Sequence, residues 1–238
     1  MLKLVLLRHG ESEWNAQNRF TGWTDVGLTK KGVLEAENSG KLLKKNGFYF
    51  DLAYTSLLER ANLTLNLCLK KLDQRDLPIK YEWRLNERHY GSLQGLNKKE
   101  TAAKYGDEQI LIWRRSYDIP PPSLKFDDIR HPRFSKKYKN IEPDKLPMSE
   151  SLKDTKERFM PLWEKSILSN LKLKKNILIV AHGNSLRALV KHIDKISDKD
   201  IINLNIPTGI PLVYELNKKL KTINNYYLAD VNEIAKKI

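Results

Sequence analysis

The stretch Leu4-Val5-Leu6-Leu7-Arg8-His9-Gly10-Glu11-Ser12 decides the fold of this chain. A short apolar run without polar alternation reads as a strand covered on both faces, and Arg8-His9-Gly10 ends it in a loop. The same design returns at Ile177-Leu178-Ile179-Val180-Ala181-His182-Gly183, where a second unbroken run stops at histidine and glycine. Strands of this kind belong to parallel sheets, whose ligands gather beyond the carboxyl ends of the strands. Both histidines are therefore expected at one edge of such a sheet.

The segments between and around these runs supply the rest of an α/β pattern. Thr29 opens a helix with Val33, Ala36, Gly40 and Leu43 on one face, and Gly47 stops it. Leu52 to Thr55 reads as a short strand. Ser56-Leu57-Leu58-Glu59 has the form of a capping box, and the helix it opens carries Leu58, Ala61, Leu65, Leu69 and Leu72 at core spacing. That helix sets Arg60 in its first turn, beside the strand's end. Ile79, Tyr81 and Trp83 alternate as a third strand, while Asn97 and Asp107 start two short helices. The six prolines between Ile119 and Pro147 mark a long ordered excursion. A helix over Ser151 to Leu168, the strand Ile177 to Ala181, a helix over Ser185 to Ile193 and a hairpin of Pro211–Leu216 with Thr222–Leu228 complete the chain. The expected fold is a single α/β domain over residues 1–238, with a mainly parallel central sheet, helices on both faces and one antiparallel edge.

Composition bounds the function. The 238 residues are 40% hydrophobic, enough for a buried core, and carry a formal net charge of +14. The longest apolar run, Ile177 to Ala181, is far short of the ~20 residues a membrane helix needs. Arg8 also interrupts the first apolar run before it reaches signal-peptide length. The single cysteine, Cys68, forms no internal disulfide and no zinc-type cluster exists. A cytoplasmic globular protein is expected, with no membrane and no nucleic-acid partner. The positive charge favours phosphates of any kind but names none, since paired lysines such as Lys44-Lys45 and Lys174-Lys175 read as solvated surface.

Imidazole serves as nucleophile or proton carrier near neutral pH, and glycine after each histidine permits close backbone approach to a ligand. Arg8 and Arg60 add guanidinium groups that bind phosphate oxygens bidentately and stay charged. One histidine at a strand end reads more readily as structural than catalytic; two in matching positions reverse that reading.

Leu7-Arg8-His9-Gly10-Glu11-Ser12 resembles the signature of the histidine phosphatase superfamily. Arg19-Phe20-Thr21-Gly22-Trp23, Leu85 to Gly91, Leu96-Asn97-Lys98, Trp113-Arg114-Arg115, His182-Gly183-Asn184-Ser185 and Asn205 to Gly209 narrow it to the cofactor-dependent phosphoglycerate mutase family, over about Leu2 to Asp230. The resemblance implies that His9 accepts a phosphoryl group from 2,3-bisphosphoglycerate, that His182 stands opposite, and that Arg8 and Arg60 bind the transferring oxygens. Glu87 would be the general acid/base. Ser12, Asn15, Thr21, Gly22, Arg88, His89, Tyr90, Lys98, Arg114, Arg115, Gly183 and Asn184 would contact phosphoglycerate substrates. It further implies a homodimer, or a higher oligomer, and no metal. The tail 231–238, with Ile234 and Ile238 four residues apart around Lys236-Lys237, is expected to be mobile and to close over the site.

Bland readings compete at several positions. Glu87 alone reads as a surface ion pair, and Arg114-Arg115 as complements to a helix dipole. His89 reads as loop packing, His131 and His192 as surface residues, and Trp14, Trp23, Trp113 and Trp163 as anchors. Two other functions compete as well. A simple phosphomonoesterase shares the same motif, but Lys98 with Arg114-Arg115 would be superfluous there. A nucleic-acid module would interleave basic and aromatic residues on one face, whereas here the diagnostic residues converge at strand ends.

Overall fold

The computed structural model describes residues 2–230 together with Asn232 and Ile234, so the tail expected to close over the site lies, but for those two, outside the described residues. The chain forms β1 (Leu2–Arg8), α1 (Glu13–Ala16), α2 (Lys30–Lys45), β2 (Leu52–Thr55), α3 (Glu59–Leu72) and β3 (Ile79–Tyr81). It continues through α4 (Lys98–Tyr105), α5 (Asp107–Arg115), α6 (Leu152–Leu162), α7 (Leu168–Lys172), β4 (Ile177–Ala181), α8 (Gly183–Asp194), β5 (Leu212–Leu216) and β6 (Thr222–Tyr227). The strands pair in the order β3-β2-β4-β1-β5-β6. The first four are parallel, and the hairpin β5–β6 closes the sheet with an antiparallel edge.

The unbroken apolar runs are buried on both faces, as their composition requires. Leu4, Leu6, Ile177, Ile179 and Ala181 pack with Phe159 and Leu162 of α6 and Leu186 and Leu189 of α8. Val5, Leu7, Leu178 and Val180 pack on the opposite side with Leu43 of α2 and Leu65, Cys68 and Leu69 of α3. At about 1.5–3 kcal/mol for each fully buried aliphatic side chain, these two layers hold the sheet that carries the site.

Four local expectations are corrected. Ser56 does not cap α3: Leu58 is the N-cap residue, and Asp25 Oδ1 accepts the Glu59 N–H at 2.7 Å instead. The Ser56 hydroxyl is engaged elsewhere, with His182. The helix from Leu152 continues to Lys172, and Trp163–Ile167 forms a π-helical turn just after Pro161, whose missing N–H breaks the regular ladder. His131 is buried, its Nδ1 accepting the Arg133 N–H at 3.1 Å, because the proline excursion folds back against the body. In that excursion Tyr138 and Leu146 pack on Trp23. Finally, Gly10 serves packing rather than ligand approach. A Cβ there would lie 2.2 Å from Gly32 O, and a Cβ on Gly32 would lie 2.1 Å from Glu11 O, so the loop after β1 rests directly on the first turn of α2.

Because both clashes are with backbone atoms, neither side can yield cheaply. Gly32→Ala is expected to destabilise the protein by about 2 kcal/mol or more. Urea unfolding will show this as a lower midpoint at an unchanged slope.

Candidate active site

β1 and β4 pair in parallel with Arg8 opposite Ala181. The His9 N–H donates to Ala181 O at 3.0 Å, which carries the ladder one residue past the strand. The two imidazoles therefore emerge side by side, their ring centroids 4.9 Å apart. His9 Nδ1 lies 2.7 Å from Gly10 O; a carbonyl only accepts, so Nδ1 bears the proton and Nε2 keeps its lone pair. Arg60 Nε donates to that Nε2 at 3.3 Å. Burial, then the charges of Arg60 and Arg8, hold the His9 pKa well below its ordinary value. His182 is lowered in the same way, by burial and then by Arg60 and His9. Its Nε2 is 2.8 Å from Ser56 Oγ, whereas its Nδ1 has no hydrogen-bond partner. The arrangement is a neutral imidazole with its Nε2 lone pair kept, beside a second neutral imidazole.

Arg60 is fixed by donating from Nη1 to Thr24 O and from Nη2 to Gly22 O. It is fully buried, and burial brings its pKa down to about 10, which leaves it charged at neutral pH. Gly22 has φ +54°, and a Cβ there would lie 2.0 Å from Gln94 Oε1, so glycine is required. Arg8 donates from Nη1 to Ile206 O at 2.7 Å, and its buried Nε has no partner.

Glu87 arrives on the loop after β3. Its Oε1 accepts the N–H of Arg88 at 2.7 Å and of Asn184, in the first turn of α8, at 3.0 Å. Its own carbonyl accepts from Trp23 Nε1 at 2.5 Å and from Arg158 Nη2 at 3.2 Å. Arg158 in turn is held by Glu150 at 2.5 Å, an ion pair almost fully buried.

These groups open on a cleft of about 660 Å³. It gathers most of the residues expected from the sequence: Arg8, His9, Asn15, Thr21, Gly22, Arg60, Glu87, Tyr90, Lys98, Arg114, Arg115, Gly183 and Asn184. Four others stand behind the wall. His182 lies beyond His9, and Ser12 is the N-cap of α1, its Oγ accepting the Asn15 N–H at 3.3 Å. Arg88 donates to the Tyr90 hydroxyl and to Arg114 O, and His89 Nδ1 accepts the Gly91 N–H. Arg19, Phe20, Arg187 and Asn205 line the cleft without having been singled out. Arg19, Phe20 and Asn205 sat inside recognised motifs, and Arg187 lies three residues after Asn184 on one helix face. Ser56 was hidden by its apparent capping role.

The lining holds seven cations, Arg8, Arg19, Arg60, Lys98, Arg114, Arg115 and Arg187, against one carboxylate, Glu87. Such a site can bind a compact substrate with anionic groups at both ends. Among the described residues no group of three or more His, Cys, Asp or Glu is placed to hold a metal ion, and no helix is long and apolar enough to cross a membrane.

The sequence pattern of the histidine phosphatase superfamily, branch 1, matches residues 4–130 and 124–227. Over 236 residues, the chain is 59% identical to proteins of two Bacteroides fragilis strains named 2,3-bisphosphoglycerate-dependent phosphoglycerate mutase; the match covers 99% of this chain and 95% of theirs. The chain therefore belongs to the histidine phosphatase superfamily and, within it, to the 2,3-bisphosphoglycerate-dependent phosphoglycerate mutase family of enzymes. Solved structures confirm the fold. A mycobacterial glucosyl-3-phosphoglycerate phosphatase in complex with VO3 superposes with a TM-score of 0.70 at 22% identity, covering 95% of this chain and 97% of that one. An alpha-ribazole phosphatase from Shigella flexneri gives 0.67 at 24% identity, covering 94% and 95%.

Two expectations follow from the buried imidazoles. His9, His182 and His89 all have lowered pKa values in the folded protein, His89 down to about 3. The unfolded chain therefore binds more protons below its ordinary histidine value, about 6.5, and stability falls as pH drops from there toward the folded values. Each histidine contributes up to about 1.4 kcal/mol per pH unit in that window. Urea unfolding at pH 7.5 and pH 5.5 checks the sign, and a pH-independent midpoint would contradict it. Ser56→Ala removes the partner of a buried ring nitrogen and is expected to cost about 1–3 kcal/mol, read as a lower melting temperature.

Proposed function

We propose that the enzyme interconverts 3-phosphoglycerate and 2-phosphoglycerate, in glycolysis and gluconeogenesis, through a phosphohistidine at His9. The observation that carries this reading is the lone pair of a neutral His9 Nε2 set in a cleft of seven cations and one carboxylate. Nucleophilic attack through Nε2 splits the transfer into two steps, each breaking one P–O or P–N bond as the other forms. Arg8 and Arg60, already pinned, bind the equatorial oxygens, and His182, its ring beside that of His9, stabilises the transferring group. Glu87 gives a proton to the oxygen leaving phosphorus and takes one from the hydroxyl that attacks the phosphohistidine; its backbone-anchored carboxylate suits both roles.

2,3-Bisphosphoglycerate, named for the relatives, would supply the phosphoryl group that primes His9. The residues fit it: Arg8, whose Nε has no partner, suits one anionic end with Arg60, while Lys98, Arg114 and Arg115 suit the other. These last three residues favour a mutase over a general phosphomonoesterase, which has no need for charge at the non-reacting end. Membership of this family also supports a homodimer acting in the cytoplasm.

Incubation with 2,3-bisphosphoglycerate followed by peptide mass spectrometry under non-acidic conditions is expected to find phosphohistidine at His9 and none in His9→Ala. Label at His182 would reverse the two roles. Glu87→Gln is expected to lower kcat by about 10²-fold or more while ligand still binds. Arg115→Ala is expected to act mainly on KM, since Arg115 serves an end of the substrate that does not react. A change in kcat alone would contradict that assignment.

A further inference from the structure

Arg187 is a charged side chain that the proposed mechanism does not use. It lies on α8, lines the cleft and is 3% exposed. Its Nη1 donates to Asn184 Oδ1 at 2.8 Å and its Nη2 to Ile201 O at 2.7 Å, while Nε has no partner. Among the described residues no carboxylate forms an ion pair with it. After burial, the largest electrostatic influences on it are the positive charges of Arg88 and Arg115. Burial and these two cations bring its pKa down to about 9, which still leaves it charged at neutral pH.

A buried charge without a counter-charge is costly, and arginine does not escape by losing its proton. The charge has a use only if an anion arrives beside it. Arg88 points the same way: it is fully buried, and its Nε and Nη1 have no partner. Arg88 Nη2 and Asn184 Nδ2 both donate to the Tyr90 hydroxyl, so Arg187, Asn184, Tyr90 and Arg88 form one rigid wall. Arg88 Nη2 also donates to Arg114 O, so this wall runs on to the side of the cleft that Arg114 and Arg115 line.

We propose that Arg187 is a specificity-determining residue, supplying buried positive charge for the substrate carboxylate and fixing the Asn184 amide beside it. This rests on the phosphoglycerate reading above. The carboxylate is the anionic group that keeps the same carbon in 2-phosphoglycerate, 3-phosphoglycerate and their bisphosphate, whereas the phosphate changes its carbon. A cation held by two hydrogen bonds suits a group that keeps its place on the substrate.

The test is a ligand-by-residue cycle. Calorimetry measures binding of 3-phosphoglycerate, of glycerol 3-phosphate, which has CH2OH in place of the carboxylate, and of inorganic phosphate, to the wild type and to Arg187→Gln. The variant is expected to lose at least about tenfold in affinity for 3-phosphoglycerate and much less for glycerol 3-phosphate. The free variant is expected to melt no lower than the wild type, since an unpaired buried charge has gone. Arg187→Lys keeps the charge and is expected to keep most of the discrimination. Equal losses for both ligands, no loss for either, or complete loss of discrimination in Arg187→Lys would overturn the proposal. A wild type that binds 3-phosphoglycerate no better than inorganic phosphate would overturn the functional reading and this inference with it.

Discussion

The parallel pairing of β1 with β4 is the constraint on which the site depends. Its register sets Arg8 opposite Ala181, so the next residue of each strand is a histidine, and the two rings leave the sheet together. β2 pairs with the other edge of β4, Thr55 opposite Val180, and the chain beyond it turns into α3 with Arg60 in its first turn. Three adjacent strand ends thus deliver both imidazoles and the guanidiniums of Arg8 and Arg60. A slip of one residue between β1 and β4 would turn Leu4 and Leu6 toward α2 and α3, so burial of both faces fixes the chemistry's register along with the core.

Glu87 lacks that support, because its loop joins no ladder. Arg158 takes the place of one. Its Nη1 donates to the carbonyls of Trp83 and Arg84, and its Nη2 to those of Asn86 and Glu87. Glu150 neutralises the guanidinium and also accepts the His89 N–H at 2.8 Å. One buried ion pair therefore ties four carbonyls of this loop to a single guanidinium. Removing either member of such a pair typically costs about 3–5 kcal/mol, because the other is left charged and alone. The Glu87 carboxylate is held by backbone amides in front and by this pair behind.

What the sequence made legible was whatever depends on local pattern. Unbroken apolar runs marked β1 and β4, and the histidines at their ends marked the site. Arg60 was placed correctly because a helix start is a local event. The misses share a physical cause, which is partners far apart in the chain. Ser56 looked like a cap because Glu59 follows it, yet His182 takes its hydroxyl and Asp25 caps the helix. His131 looked exposed beside Pro132 because nothing nearby predicts that the excursion folds back over Trp23. Gly10 suggested ligand approach, but its neighbour is Gly32. Ser12, Arg88 and His89 sat in motifs that do shape the site; the structure places them one layer behind the cleft wall.

The two kinds of buried arginine separate stability from function. Arg158 has a carboxylate and serves the fold. Arg60, Arg88 and Arg187 are buried and Arg8 is half-buried, with donors tied mostly to neutral oxygens, and Glu87 is the one carboxylate lining their cleft. Their mutual repulsion raises the energy of the free protein. It also means that the dipoles and charges needed around a phosphoryl group are already in place before any ligand enters. An arriving polyanion relieves the repulsion instead of displacing an internal counter-charge, so binding does not first have to break an ion pair. The same repulsion helps to keep His9 and His182 unprotonated, because a proton on either ring would add one more positive charge to a crowded set. The cations that line the cleft thus also keep the His9 Nε2 lone pair free of a proton.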